Sequence, residues 1–505
     1  MQMMLSEYYS AHKDEYISKT PVELFKKTVE WYPGKIAVID GDVEITYEQL
    51  DNLSDRLAHY LKEHDGVVPG DVVCIYTGRS YMTVISRLAI WKAGAAYMAV
   101  DDGGLRFMER MSAGIGQVKA VIDADYYAAA IETVPAEIKV EDLSKADAVA
   151  MVLFTSGSTG HPKGVRILHS NIVTSSSNYD KLYMQSSDRY ATLASPMFIA
   201  SLYDFMVSMS IGCTLVIIPM VICRDIRELA KYYISVGVSL TFLPPHMAIK
   251  YLSVDENSPL RVLLVGSEVT RNLEKRPYKI VNVYASSEAC AVITHYDVSD
   301  AQERYPIGEL VPTLKAYVVN DEGKLAQPGE RGELWLAGPQ IFDKYVGVGA
   351  DEENAAHFTE NTFEECEAPF NRLFKTSDIV MRDNDGNFHY LCRKDHMYKV
   401  RGFRVEINGI EVHMQTFPGI IDVAATCFTD KGGTNIIFGF YTSDQEIDHT
   451  ALRQHLLSKL PEYSVPTCLI RLDSMPRTLS GKADRNQLVP PPELNDHKKL
   501  AVLYY

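Results

Sequence analysis

Short apolar runs at 72–76, 96–100, 148–154, 214–218, 240–243, 262–265 and 280–284 alternate along this chain with amphipathic stretches of helical period. Strand-length apolar runs separated by helices constrain the fold strongly, because parallel strands buried on both faces need such crossovers. The expected fold class is α/β, built from layered, largely parallel sheets with helices. A length of 505 residues exceeds one compact core, so more than one domain is expected.

Local signals place several boundaries. Thr20-Pro21-Val22-Glu23 combines a Thr cap, Pro at the first helical position and a Glu able to reach back to the cap; Pro33-Gly34 then stops the helix. The Asp40-Gly41 turn between 35–40 and 43–46 predicts a hairpin, and Thr46 with Gln49 predicts a second capped helix to about residue 61. Segments 315–320 and 333–337 read as antiparallel strands. A hairpin-like stretch at 379–391 leads to the charged link Arg393-Lys394-Asp395, after which strands at 423–428 and 436–441 and a helix at 449–460 make a second, smaller unit. The predicted division is 1–394 and 395–505, the latter α+β.

The formal net charge of −16 argues against a general nucleic-acid binder, since nothing offsets repulsion from phosphate backbones. The eight cysteines are scattered without a close pair, which argues against zinc ligation and a disulfide framework and for a reducing interior. The first residues lack the basic-then-apolar pattern of a secretory signal, and no apolar run approaches the ~20 residues that span a bilayer. A cytoplasmic location without membrane attachment is expected.

The run at 148–154 feeds directly into Thr155-Ser156-Gly157-Ser158-Thr159-Gly160-His161-Pro162-Lys163-Gly164. Glycines let backbone fold tightly and present successive N–H groups to an anion; hydroxyls add donors and Lys163 adds a point charge suited to phosphate. A Ser/Gly surface turn is the alternative reading of these residues alone. The spacing is not that of a Walker loop.

In this setting the sequence resembles the adenylate-forming superfamily of acyl-CoA synthetases, luciferases and nonribosomal peptide synthetase adenylation domains. The resemblance runs in order through 45–50 (ITYEQL), 91–97 (WKAGAAY), the 155–164 loop, 332–338 (GELWLAG), 374–378 (FKTSD), 393–406, 460–466 (LPEYSVP) and 480–485 (SGKADR). It implies a small, distorted β-barrel-like part beside the layered sheets and a mobile C-terminal lid domain hinged at Asp395. It also implies attack of a carboxylate on the α-phosphorus of ATP with release of pyrophosphate, a step that needs cations and donors at the developing charge.

By the same resemblance, residues 155–163 hold the β- and γ-phosphates. Thr159 and Glu288 serve Mg²⁺, a hard cation suited to a carboxylate plus phosphate oxygens. Tyr284-Ala285-Ser286-Ser287 and Tyr390 line the nucleotide, Asp378 holds the ribose, and Arg393 contacts the ribose or α-phosphate side. Lys482 bridges the substrate carboxylate and the α-phosphate. Gly402 approaches the pantetheine arm in a second closure that forms the thioester, where the absence of Cβ allows close passage.

The acid-binding positions implied are Phe198, Ile199, Ala200, Tyr203, Phe242, Leu263, Val265, Val283, Ala291 and Val292. Ile199 stands where family members that use α-amino acids carry an aspartate. A buried ammonium without a partner would cost several kcal/mol, so an aryl, aliphatic or keto acid is expected. Asp204 is the alternative anchor for an amine. Three further departures are Ala285-Ser286 for Gly-Pro, Ser377 for the glycine before Asp378, and Cys392 for the glycine before Arg393. The expected activity is an AMP-forming acid–thiol ligase whose acceptor is the phosphopantetheine of a separate carrier protein; coenzyme A is the rival acceptor. A non-catalytic adenylate-binding sensor is the alternative from another class.

Overall fold

The computed structural model describes residues 18–101, 118–155, 163–394, 397–400, 403–429, 434–477 and 483–489. The local rules hold at the start of the chain. Helix Pro21–Trp31 carries a complete capping box, with Thr20 N donating to Glu23 at 2.6 Å and Glu23 N to Thr20 Oγ1 at 3.2 Å. Strands Ile36–Asp40 and Val43–Thr46 pair antiparallel around Gly41, whose φ of 59° fits the turn. Thr46 and Gln49 cap the next helix, which runs past the expected end to His64.

Among the described residues, a nine-stranded sheet runs in the order Glu309–Leu310, Ala291–Asp297, Lys279–Ser286, Val262–Gly266, Leu240–Leu243, Arg189–Thr192, Thr214–Ile217, Ile36–Asp40, Val43–Thr46. Its interior pairings are parallel and its margins antiparallel. A six-stranded sheet runs Lys344–Val346, Lys163–Leu168, Val149–Thr155, Ala96–Ala99, Val72–Ile75, Val118–Ile122. Helices such as Tyr81–Lys92 and Ile199–Ile211 fill the space between them, and the side chains of both layers meet in one large apolar cluster. Five strands between Lys315–Val319 and Phe388–Arg393 form a wholly antiparallel sheet, as the polar, turn-rich sequence there suggests. The α/β class is borne out.

The strands Lys163–Leu168, Arg189–Thr192 and Ala291–Asp297 were not legible in the hydropathy pattern. Each is short or polar at one end, and its membership depends on neighbours remote in sequence. Beyond residue 400, Asp422–Thr429, Asn435–Thr442 and Cys468–Arg471 pair in a three-stranded sheet. An apolar cluster that includes Val400, Val405, Ile410, Leu452 and Val465 draws only on residues from 398 onward. No helix among the described residues is long and apolar enough to cross a membrane.

Candidate active site

The glycine-rich segment joins two neighbouring strands of the six-stranded sheet. Strands Val149–Thr155 and Lys163–Leu168 pair antiparallel, with Thr155 opposite Lys163 and Phe154 opposite Gly164. Lys163 and Gly164 therefore open a strand instead of closing a loop. A Cβ on Gly164 would lie 2.8 Å from both Val152 Cγ1 and Val346 Cγ2, so the three strands close together only on glycine. Ser156, Gly157, Ser158, Thr159 and Gly160 lie outside the described residues.

Lys163 is buried, with Nζ 3.0 Å from Glu353 and 3.3 Å from Glu406 and 5.1 Å from the centre of the Tyr345 ring. Tyr345 donates its hydroxyl to Glu288 Oε1 at 2.9 Å, and the Glu288 carbonyl accepts from Phe342 N at 2.8 Å. Glu288, 1 % exposed, is thus linked to Lys163 through one aromatic ring. The buried Glu288 carboxylate is a single hard-oxygen donor, and among the described residues no group of three acidic, His or Cys side chains gathers as a metal site. Glu288 fits Mg²⁺ shared with phosphate oxygens.

A second group forms around Asp378. It sits on strand Arg372–Arg382 directly opposite Arg393, and Arg393 Nη1 lies 3.0 Å from Asp378 Oδ1. Tyr284 donates to Asp378 Oδ2. Burial pushes the Tyr284 and Tyr390 phenols well above their ordinary range, and the Asp378 charge adds to both shifts. Each Asp378 oxygen keeps a lone pair, so the carboxylate can accept from two further hydroxyls. Ser377, one of the departures, holds φ at 63°; its N–H donates to Glu333 Oε1 at 3.1 Å and its carbonyl accepts from Lys394 N at 2.9 Å. One strand connects the two groups: Lys279–Ser286 delivers Tyr284 to Asp378, with Ala285 and Ser286 completing the strand. The turn holding Ser287 then delivers Glu288 to Tyr345.

Phe198 is the N-cap of helix Ile199–Ile211, whose start is tied down by buried Arg87: its Nη1 donates to Ser201 O and its Nη2 to Ser201 Oγ, both at 3.0 Å. Ala200 lies in the first turn. Tyr203, Val283, Ala291 and Val292 share one buried cluster, with Ile199 and Phe242 packed against it. Cys290 and Ala291 adopt φ of 50° and 102°, and the Gln340 amide spans their turn by donating to Ala289 O and Val292 O, both at 2.9 Å.

Leu263 and Val265 do not join that group. They face the opposite side of the sheet with Leu243 and Ala248, and Leu264 takes the face toward Tyr203. Side chains alternate along a strand, so matching by motif without register puts neighbours on the wrong side. Asp204 also points elsewhere. Its Oδ1 accepts from Tyr190 and its Oδ2 from Thr192 Oγ1 at 2.7 Å, and burial raises its carboxyl to about 6.

Lys482, Asp395 and Gly402 lie outside the described residues. Sequence reasoning missed Tyr345, Glu353, Glu406, Glu333, Gln340 and Arg87. Position offered a hint for Glu333 and Glu406, which lie inside the 332–338 and 393–406 motifs, and for Gln340 and Tyr345, which closely follow the former; Glu353 and Arg87 gave no signal. The Phe198 ring meets Phe403 at 4.7 Å, and Phe403 stacks on Tyr463 at 4.0 Å, so segments on both sides of residue 395 close over this region.

Residues 25–112 and 108–346 match the model of a family described as AMP-binding enzyme. Surfactin synthase subunit 2 from Bacillus subtilis (strain 168) is 31% identical over 494 residues, covering 94% of this chain and 14% of that protein. The chain therefore spans about one seventh of that relative's length. Among solved structures, an artificially fused adenylation–PCP di-domain protein from Klebsiella oxytoca superposes with a TM-score of 0.79 at 23% identity, covering 90% of this chain and 94% of that one. o-Succinylbenzoate CoA synthetase from Bacillus subtilis gives 0.80 at 20% identity, covering 93% and 98%. These likenesses share the layered fold. With more than half its length matched by the family model, and the resembling motifs in order, the chain belongs to the AMP-binding enzymes of the adenylate-forming superfamily.

Proposed function

We propose that this chain adenylates a carboxylic acid lacking an α-amino group and passes the acyl group to the phosphopantetheine thiol of a separate carrier protein. The observation that carries the choice of acid is the pairing of Ile199 with a committed Asp204. The first turn of the pocket helix offers an apolar side chain, and the adjacent carboxylate is occupied by Tyr190 and Thr192. An ammonium placed there would remain unpaired in an apolar cluster, at a cost of several kcal/mol.

The chain's own residues divide the work. Asp378, oriented by Arg393 and Tyr284, accepts the ribose hydroxyls. Lys163 receives the phosphates of ATP, which displace Glu353 and Glu406 from its ammonium. Glu288 would hold Mg²⁺, which supplies charge neutralisation between phosphate oxygens. Lys482 is assigned the bridging position between the acid and the α-phosphate. Burial of Lys163, Glu288 and Asp378 strengthens their action on the transition state.

ATP–pyrophosphate exchange across aryl, aliphatic, keto and α-amino acids tests the reading. Exchange with at least one of the first three and none with α-amino acids is expected; strong exchange confined to an α-amino acid would overturn it. Lys482→Ala is expected to abolish exchange yet retain thioester formation from supplied acyl-adenylate, and full exchange in that variant removes the role. Parallel assays with coenzyme A and with a phosphopantetheinylated carrier decide the acceptor. The likeness to adenylation domains of peptide synthetases supports the carrier.

A further inference from the structure

Lys163 and Glu353 stand 190 residues apart in the chain, and local interactions bring them within 3.0 Å. Strand Lys344–Val346 pairs antiparallel with the strand that Lys163 opens, which sets Val346 opposite Gly164. Helix Ala350–His357 follows, and its Asn354 clamps the first of these strands. Asn354 Oδ1 accepts from Tyr345 N at 2.8 Å, and its Nδ2 donates to Tyr345 O at 3.0 Å. With Asn354 held there, Glu353 beside it reaches the Lys163 ammonium.

Acidic residues suit the first turn of a helix, where they meet unpaired N–H groups. Asp351 and Glu352 fit that explanation, because both face solvent. Glu353 does not. Its side chain is only 20 % exposed, and its Oε2 lies 3.0 Å from Lys163 Nζ and 3.4 Å from His357 Nε2. The His357 ring is itself anchored, with Nδ1 2.9 Å from Lys375 O.

We infer that Glu353 is a resident competitor for the phosphates at Lys163: it limits nucleotide affinity and returns to the ammonium as pyrophosphate leaves. The inference rests on the adenylation reading and on the phosphate role of Lys163, and it adds an opposing charge at that site. A buried ammonium without an anion is strongly disfavoured, yet every turnover must take pyrophosphate away from this one. Glu353 supplies the replacing anion from a fixed helix, so the departing product does not leave the charge stranded. The same carboxylate opposes ATP and pyrophosphate on arrival, by repulsion and by competition for one cation. Glu406 adds a second carboxylate at 3.3 Å, but from beyond residue 395. Glu353 is tied by helix and strand to the sheet that carries Lys163. Glutamine keeps its shape and can still accept from the ammonium, but without charge it competes weakly with phosphate.

The test is ATP–pyrophosphate exchange by the full chain with an acid that supports it, for the wild type, Glu353→Gln and Glu353→Asp. E353Q is expected to lower the KM for ATP and the KM for pyrophosphate about fivefold each, with the KM for the acid unchanged. E353D keeps the charge but shortens its reach, and its values are expected to fall between the other two. The direction is what discriminates, since replacing a merely structural Glu353 would leave these constants unchanged or raise them. Unchanged or raised KM values for ATP and pyrophosphate in both variants, or an equal fall in the KM for the acid, would overturn the role of Glu353 while adenylation stands. If E353Q does not fold, E353D decides alone, and wild-type constants in it overturn the role. Exchange by the wild type with no acid at all would overturn the adenylation reading, and this inference with it.

Discussion

At the scale of single residues, the nucleotide side of the site is built from side chains held in costly states. Ser377 sits at φ 63°, in the left-handed region where a Cβ costs about 1–2 kcal/mol. Ser377→Gly is expected to raise unfolding stability by about 0.5–1 kcal/mol in urea titrations, since the strain relieved exceeds the added entropy of the unfolded glycine. Asp378 carries both Arg393 and Tyr284. Asp378→Ala is expected to raise the KM for ATP at least tenfold in the exchange assay, with a smaller effect on the KM for the acid. An equal rise for both substrates would argue against a ribose role. Asp378 was legible because it falls within an ordered motif. Glu353 lies in no such motif, and although Glu406 does, nothing in the local sequence says that the two converge on Lys163.

Among the elements, helix His169–Ser176 opens on a histidine that is fully buried, edge-on to Trp91 at 5.5 Å. Burial depresses His169 from 6.5 to about 3. The folded state therefore resists a proton that the unfolded chain accepts. Stability is complete above pH 6.5 and falls as pH drops from there toward 3. One such group gives a slope of about 1.4 kcal/mol per pH unit within that window. Urea midpoints measured at pH 7, 6 and 5 are expected to fall in the wild type and to fall less steeply in His169→Leu; parallel slopes would remove His169 as the cause. Capped helices and the first hairpin were readable because their signals are local: Thr20 and Glu23 are three residues apart and bond to each other. The orientation of strand Val262–Gly266 was not. Whether Leu263 or Leu264 faces the Tyr203 cluster depends on register against strands from elsewhere in the chain.

At the larger scale, the contacts among the described residues that join the segments before and after residue 395 include Phe198 with Phe403 and Lys163 with Glu406. We propose that Lys394, exposed and paired only peripherally with Glu333 at 3.3 Å, marks the junction of two separately folded units. Limited trypsin digestion of the native chain is expected to cut first after Lys394, leaving fragments 1–394 and 395–505. Initial cleavage inside either fragment would argue for a different division. The sequence by itself determined the α/β class, the helix caps and the order of the motifs, because periodicity, capping and turn chemistry act over a few residues. Only the tertiary structure decided what surrounds Lys163, which way Asp204 faces and that Tyr203 lies buried without a partner among the described residues. Those outcomes depend on sheet register and on packing between segments far apart in the chain, where no local propensity reaches.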